Sequence, residues 1–328
     1  MNIYITLDYE LFVNDNTGDI EHCLIIPSDK FMDVCDKFNI KSTFYVDAAY
    51  LYRLNELKSK YESLMCDFNL VSQHVKDIVR RGHKVALHIH PQWYYAQYIG
   101  EQWQMDFEHY KLSDMPQDRA DDLLVKSMNL LKDITGRPID SFRAGGYSIQ
   151  DYISFPRLFV ENGIGKDSSV LCGEKLISSL HVFDYTNVKT GKCYSFKDDI
   201  TKPAEDGCMI EFPISTFKMP FLEYCRARIK NNRTPNNVTW GNGGDKPAKK
   251  GVTFIRHFVS KLIKGVNCIA TFDYPNCYEM DYWSKFIDNN TIDDLVIITH
   301  PKLLSPLSIT NLERFLEKYH KTHTFNTI

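Results

Sequence analysis

The feature that most constrains the fold of this chain is an alternation of short apolar runs with longer amphipathic stretches along its 328 residues. Apolar runs of this length are typical of buried strands, and the stretches between them repeat their apolar residues at helical spacing. Strands are predicted at 2–8, 42–47, 84–90, 139–143, 164–170, 208–214, 267–272 and 294–299. A series of this kind favours an α/β fold built on a parallel sheet.

Helices are predicted between these strands at 28–38, 70–81, 117–135 and 150–162, and a last helix opens at Thr310 with a capping-box pattern. Seven or eight strands with intervening helices predict a distorted (β/α) barrel of about seven parallel strands. An open doubly wound sheet is the alternative, although no Gly-x-Gly-x-x-Gly sequence follows the first strand. The chain is expected to form one domain over 1–328, with a polar, Gly-rich insertion at about 226–251.

Composition limits the partners and the location of the protein. The formal net charge of −3 provides no broad basic field for nucleic acid. No secretory signal and no bilayer-spanning apolar run are visible, so a cytoplasmic protein is expected. The nine cysteines are scattered without a Cys-x-x-Cys pair, which argues against a disulfide framework or a cysteine zinc site. The pattern leaves the oligomeric state open.

Acidic side chains end the first predicted strand. Because side chains alternate between the two faces of a strand, Thr6, Asp8 and Glu10 share one face, and the apolar Ile5 and Leu7 share the other. In a parallel barrel, the active site lies at the carboxyl ends of the strands. Asp8 and Glu10 are therefore candidate catalytic or metal-binding residues, and a solvated polar face is the alternative.

Histidines end two further strands. His88 and His90 project from the same face of the strand at 84–90, so both imidazoles can reach one metal ion. A hydrogen-bonded histidine pair without a metal is the alternative. His300 follows the strand at 294–299, where an imidazole can act as a proton donor near neutral pH.

An arginine ends the strand at 139–143, and two glycines come shortly after it. Arg143 can hold a carboxylate by paired hydrogen bonds, and Gly146 lets a backbone N–H group approach a ligand as an oxyanion hole requires. A Gly-rich turn without a function is the alternative. Trp93 and Tyr147 lie next to these segments and are candidate substrate-binding residues, with packing or loop anchoring as the alternative.

These segments occur in the order seen in the polysaccharide deacetylase family (the chitooligosaccharide deacetylase homology domain), whose members remove acetyl groups from N-acetylated sugars. The segment Thr6-Leu7-Asp8-Tyr9-Glu10 resembles the family's Thr-Phe-Asp-Asp-Gly, and residues 82–88 resemble its Gly-His-Glu-Ile-Gly-x-His. Residues 143–147 resemble its Arg-x-Pro-x-Gly/Tyr loop, and residues 298–300 resemble its late Leu-x-His. Asp167-Ser168-Ser169 is similar to a polar strand end of the family. The resemblance spans Met1 to about Leu304.

The resemblance implies a hydrolase that acts on an amide of a carbohydrate with the help of a divalent metal, expected to be zinc, with cobalt or nickel as other options. Asp8 would be the base, Arg143 the group that orients it, Gly146 the source of an oxyanion-hole N–H, and His300 the acid. The expected metal ligands are Glu10, His88 and His90. A cytoplasmic intermediate of surface polysaccharide synthesis is the expected kind of substrate.

Two departures from the family pattern affect the metal site. The family's metal-binding aspartate directly follows its base, where this chain has Tyr9 and places its acid one residue later, at Glu10. The family's second metal histidine lies four residues after the first, where this chain has Gln92. The expected metal ligands Glu10, His88 and His90 therefore differ in position from the family's set. The direction of the side chains permits this rebuilt set.

Two other functions stay open at this point. One is a carbohydrate-binding barrel that has kept the fold and lost the chemistry, which the departures at Tyr9 and Gln92 motivate. The other is a glycoside hydrolase, in which Asp8 would work with a second carboxylate. Glu211, in a predicted strand, is the candidate for that second carboxylate.

Overall fold

The computed structural model describes residues 1–234, 238–244, 266–274, 276–289 and 291–328. Its strands are β1 (Asn2–Tyr9), β2 (Thr43–Asp47), β3 (Lys84–Ile89), β4 (Gln97–Ile99), β5 (Gln102–Gln104), β6 (Ser141–Ala144), β7 (Lys166–Asp167), β8 (Lys175–Ile177), β9 (Val182–Asp184), β10 (Tyr194–Phe196), β11 (Met209–Glu211), β12 (Thr216–Met219), β13 (Val266–Ile269), β14 (Asp294–Thr299) and β15 (Thr324–Asn326). Its helices are α1 (Ile26–Lys37), α2 (Ala48–Leu57), α3 (Glu62–Arg80), α4 (Gln92–Tyr95), α5 (Gln117–Thr135), α6 (Arg157–Glu161), α7 (Phe221–Asn232), α8 (Met280–Asp288) and α9 (Pro306–Tyr319).

The main sheet has the strand order β10-β11-β7-β6-β3-β2-β1-β14, and β15 also pairs with β1. All pairs in it are parallel except β10 with β11. The sheet curls into a half-barrel. Single hydrogen bonds join β14 to residues next to β12 and β13, which lie outside the main sheet. The Ser215 N–H donates to the Val296 carbonyl at 3.0 Å, and the Ile298 N–H donates to the Ala270 carbonyl at 3.1 Å. The predicted α/β barrel class is confirmed.

Amphipathic helices cover the outer face of the sheet because their apolar stripes must be buried. Phe31 and Val34 of α1, Val75 and Ile78 of α3 and Leu123 of α5 all belong to one continuous buried core. The inner face near the carboxyl ends of the strands is polar instead. Charged and polar groups from β1, β2, β3 and β6 meet there, so the topology gathers the site from distant parts of the sequence. None of the helices in the described ranges is long and apolar enough to cross a membrane.

Several predicted elements differ from the observed ones. The helix predicted at 70–81 begins at Glu62, because the buried Leu64 extends its apolar face toward the N-terminus. The helix predicted at 150–162 begins only at Arg157, because Pro156 lacks an N–H and disfavours a helical residue before it. The last helix begins at Pro306 and not at Thr310, because the Ser305 side chain caps it by accepting a hydrogen bond from the Ser308 N–H. The strand predicted at 267–272 is β13, which pairs antiparallel with β12 outside the main sheet.

The predicted polar insertion at about 226–251 is only partly described. Its first residues, 226–232, complete α7. Farther on, Asn242 accepts a hydrogen bond at 3.0 Å from the backbone N–H of Asp19, so residues near 242 pack beside the loop that follows β1. Residues 235–237 and 245–251 of the predicted insertion lie outside the described residues.

Candidate active site

The three predicted metal ligands meet at the carboxyl ends of β1 and β3. Glu10 Oε2 lies 2.9 Å from His88 Nε2 and 2.5 Å from His90 Nε2. One ligand atom of each residue lies within 4.8 Å of those of the other two, and all three side chains are buried. Two imidazole nitrogens and one carboxylate oxygen form a donor set typical of catalytic zinc sites.

The surroundings of His88 fix which nitrogen faces this cluster. His88 Nδ1 lies 2.8 Å from the backbone carbonyl oxygen of Arg143, which can only accept a hydrogen bond. The proton therefore resides on Nδ1, and the lone pair of Nε2 is free for a metal ion in the neutral ring. The donors, their convergence and this outer hydrogen bond fit a divalent metal of the zinc type.

The charges around the cluster favour an ionised carboxylate. Burial alone would raise the pKa of Glu10, but Lys302, His90 and His88 hold that pKa well below its usual value. Burial likewise opposes protonation of His88, yet the Asp8 and Glu10 carboxylates raise the pKa of its imidazole to about 9. A proton therefore competes with a metal ion for His88 near neutral pH.

Lys302 is a member of this cluster that the sequence did not predict. Its Nζ donates to Glu10 Oε1 at 2.8 Å and to the Leu11 carbonyl at 2.8 Å, and only 7% of the residue is exposed. It lies in the 3₁₀ turn Pro301–Leu303 that follows β14. The only signal in the sequence is its position two residues after His300.

Asp8 and Arg143 form a second buried pair beside the cluster. The Arg143 Nη1 group donates to Asp8 Oδ1 at 2.5 Å, and neither side chain is more than 5% exposed. Arg143 also donates to Thr6 Oγ1 at 2.9 Å and to Ser168 Oγ at 2.8 Å, and its guanidinium lies 4.1 Å from the centre of the Tyr45 ring. This network fixes the guanidinium and occupies Asp8 Oδ1, and it leaves Asp8 Oδ2 to the side of His300.

His300 faces the same aspartate from the opposite side. His300 Nε2 lies 3.7 Å from Asp8 Oδ2, and His300 Nδ1 lies 2.6 Å from Asp273 Oδ2. Burial opposes protonation of this imidazole, but Asp273 outweighs burial and raises the pKa of His300. Asp273 was not predicted, although it follows the strand predicted at 267–272, just as Asp8 ends the first strand.

The glycine loop lies against the cluster and cannot take larger residues. A Cβ atom at Gly145 would lie 2.7 Å from His90 Nδ1, and one at Gly146 would lie 2.9 Å from His181 and Tyr110. Gly146 also has a φ of +59°, in the left-handed region. The backbone at Gly146 therefore comes close to the site, with Tyr110 and His181 as neighbours that the sequence did not predict.

The two aromatic candidates differ in their placement. Trp93 has 0% exposure and packs on Tyr50, with ring centres 4.6 Å apart, and on Trp103. A fully buried ring cannot stack on a sugar, so the structure gives Trp93 a packing role because α4 turns it into the core. Tyr147 is only partly buried, and burial together with the Asp8 carboxylate raises the pKa of its hydroxyl.

The residues at the family's metal-ligand positions point elsewhere. Tyr9 is buried in the apolar core, where its hydroxyl lies 2.7 Å from His74 Nδ1. Gln92 is fully buried, and its amide makes no hydrogen bond to any described residue. Glu10 and His90 take their places in the cluster because each lies two residues from a side chain that already faces it.

Another carboxylate pair lies deeper in the barrel. Asp167 and Glu211 are neighbours across β7 and β11, and both have 0% exposure. Burial raises the pKa of Asp167 to about 6, and burial together with Asp167 raises that of Glu211 well above its usual value. Glu211 Oε1 accepts the Val170 N–H at 3.1 Å. Without exposed surface, Glu211 cannot contact a sugar, and the glycoside hydrolase alternative gains no support.

Comparison with solved structures identifies the fold. No protein-family profile and no curated protein sequence matches the chain. A Mycobacterium smegmatis protein described as a polysaccharide deacetylase aligns over 99% of this chain and 85% of its own, with a TM-score of 0.51 and 14% identity. A Pseudomonas aeruginosa protein described in the same way aligns over 99% and 86%, with a TM-score of 0.49 and 12% identity. The Puue allantoinase aligns over 99% and 85%, with a TM-score of 0.48 and 12% identity. The first of these alignments shows that the chain has the fold of the Mycobacterium smegmatis protein, a polysaccharide deacetylase fold.

Proposed function

We propose that this protein is a metal-dependent hydrolase that removes the acetyl group from an N-acetylated sugar or a related carbohydrate. The observation that carries the proposal is the meeting of two buried clusters at one end of the barrel. The Glu10–His88–His90 set offers a site for a metal, and Asp8 lies between Arg143 and His300 beside it. Amide hydrolysis requires these groups together: an electrophilic site, a base and an acid.

The Glu10 carboxylate and the two imidazoles would hold the metal, with zinc as the expected ion and cobalt or nickel as alternatives. Bound there, a divalent ion supplies Lewis acidity toward the acetyl carbonyl and its attacking water. The N–H of Gly146 is the backbone group proposed to donate to the oxyanion. The closeness of the loop to His90 supports this role, because a side chain at Gly145 would collide with the imidazole.

Asp8 is proposed to take the proton from the attacking water. Arg143 holds Asp8 Oδ1, so Oδ2 remains as the atom that can accept the proton. His300 is proposed to give a proton from Nε2 to the sugar nitrogen as the carbon–nitrogen bond breaks. Asp273 on Nδ1 keeps that imidazole oriented and favours its charged form. The products are acetate and the free amine.

The proposed substrate is an intermediate of surface polysaccharide synthesis, which accords with the expected cytoplasmic location. Tyr147 follows Gly146 in the chain and Tyr110 lies against it, and these are the aromatic residues proposed to contact the sugar. Aromatic rings offer an apolar face to the C–H groups of a sugar ring. Trp93 is not included because it has no exposed surface.

The test measures acetate release from a panel of N- and O-acetylated sugars, including nucleotide-linked and lipid-linked forms. The purified protein is loaded in turn with zinc, cobalt and nickel. We expect acetate release from at least one N-acetylated sugar, and release about 10²–10⁴-fold slower from the Asp8→Asn variant. If no metal supports release from any member of the panel, the proposal is wrong.

A second candidate is a carbohydrate-binding barrel without catalysis. The observation that favours it is the Lys302 ammonium on Glu10, because the carboxylate then has a counter-charge without a metal. This candidate predicts sugar binding by calorimetry in the parent protein, the same affinity in Asp8→Asn, and no turnover in either. Turnover by the parent protein would exclude it.

A further inference from the structure

Among the described residues, the pair of Lys302 with Glu10 is the most buried lysine–carboxylate pair, and Lys111 with Asp114 follows at 9% and 19% side-chain exposure. The side chains of Lys302 and Glu10 are 9% and 7% exposed, whereas those of Lys37 and its partner Glu313 are 58% and 38% exposed. A surface pair of the second kind contributes little to stability. A buried ammonium, in contrast, must be paired closely, because removing it from water is costly. The fold therefore holds Lys302 in a defined position next to Glu10 at the mouth of the barrel.

Three contacts hold the ammonium in place. Its Nζ lies 2.8 Å from Glu10 Oε1 and 2.8 Å from the Leu11 carbonyl oxygen, and 4.8 Å from the centre of the Phe12 ring. The opposite oxygen of the same carboxylate, Oε2, faces His88 and His90. One carboxylate oxygen of Glu10 thus accepts a hydrogen bond from the lysine, and the other faces the two histidines.

We propose that Lys302 is a resident counter-cation of the metal site, which stabilises the metal-free cluster and thereby weakens metal binding. The inference rests on the proposed metal set of Glu10, His88 and His90. Without a metal, the ammonium neutralises a buried carboxylate. With a metal, two cations share that carboxylate and repel each other across a short distance. Lys302 also keeps Oε1 occupied, so only Oε2 is free to bind the ion.

Both effects act in the same direction. Removal of the ammonium leaves Glu10 as a buried carboxylate with fewer partners, which destabilises the metal-free protein. It also removes a repulsion from the metal-bound protein and releases the second oxygen. Tighter metal binding also stabilises the folded state more. The gain in melting temperature with zinc should therefore rise when zinc affinity rises.

The experiment compares the full-length wild type with Lys302→Met, Lys302→Gln and Lys302→Arg. Zinc affinity is measured by competition with a chromophoric chelator, and the melting temperature is measured with and without zinc. We expect the Met and Gln variants to bind zinc at least tenfold more tightly, to melt lower without zinc, and to gain more from zinc than the wild type. The Arg variant keeps the charge and the donors, and its affinity should stay within a few-fold of the wild type. Gln serves as the second neutral variant if Met does not fold.

Unchanged or weaker zinc binding in both neutral variants would overturn the inference, and so would the absence of zinc binding in all four proteins. Acetate release is measured in parallel and tests the proposed function separately. Tighter zinc binding without acetate release would support the role of Lys302 and count against the deacetylase. Acetate release together with equal zinc affinities in all four proteins would support the deacetylase and count against the role of Lys302.

Discussion

The two halves of the barrel mouth are built differently. In the acid–base half (Asp8, Arg143, Asp273 and His300), each charged group has an opposite partner, with distances of 2.5 Å for the first pair and 2.6 Å for the second. In the histidine half, the single carboxylate of Glu10 is shared by two imidazoles and an ammonium. In the proposed function, the first half transfers protons, and in the second half a metal ion would compete with the ion-pair network.

The halves also differ in how they relate to the family pattern. The acid–base half keeps its residues at the motif positions, because each strand end supplies one group. The histidine half has moved along its strands, to Glu10 and His90, while Tyr9 and Gln92 face the interior. Glu10 lies two residues after Asp8, and His90 lies two residues after His88, so each shares a face with its neighbour. The proposed metal set therefore uses positions other than the family's, next to side chains that already face the site.

The largest effect is expected from the acid–base half. Asp8→Asn removes the proposed base and should lower kcat/KM by about 10²–10⁴-fold, the usual contribution of a positioned base. Bound metal should be unchanged, because Asp8 belongs to the other half. Steady-state kinetics and elemental analysis check this, with the exposed Asp198→Asn as the matched control. Loss of metal in Asp8→Asn would remove the distinction between the halves.

The next largest effect is expected on stability, from a substitution at Tyr9, whose side chain points into the core. Tyr9→Asp restores the family residue, but the side chain would lie in the core against His74 and not at the mouth. We expect the free energy of unfolding to fall by about 3 kcal/mol or more, because a large side chain is lost and a carboxylate is buried. Tyr9→Phe, the control, should lose only about 1 kcal/mol with its hydrogen bond. Urea denaturation measures both, and a stable Tyr9→Asp variant that binds metal more tightly would contradict this placement.

Strand alternation accounts for what could be predicted from the sequence. It placed Thr6, Asp8 and Glu10 on one face of β1, and the same rule brought His88 and His90 together. The rule does not extend past a strand end. The direction of Trp93 depends on α4, and the approach of Lys302 to Glu10 joins residues 292 positions apart. Such contacts depend on tertiary packing, which no local pattern encodes.

Asp273 offers a test of moderate size within the acid–base half. Its carboxylate raises the pKa of His300, so Asp273→Asn should lower that pKa. A general acid must be protonated, and activity falls as the pH rises through its pKa. The alkaline limb of the pH–rate profile should therefore move toward lower pH in the variant, by about one unit. An unchanged alkaline limb would mean that His300 is not the acid that the profile reports.

The smallest effects concern the aromatic residues. Trp93→Phe should leave KM for the sugar unchanged, because the ring has no exposed surface. Tyr147→Ala should raise KM several-fold if the ring contacts the substrate at the mouth, in line with the modest strength of aromatic contacts. Parallel KM measurements with one active sugar compare the two. A higher KM in Trp93→Phe, with a normal melting temperature, would place Trp93 at the site after all.

The metal content of the purified protein decides whether Glu10, His88 and His90 form a metal site. Elemental analysis compares the wild type with His88→Ala, and His22→Ala, an exposed histidine outside the cluster, serves as the control. We expect about one zinc-like ion per chain in the wild type and in His22→Ala, and none in His88→Ala, because the remaining donors are too few. No bound metal in the wild type after incubation with zinc, cobalt and nickel would contradict the account.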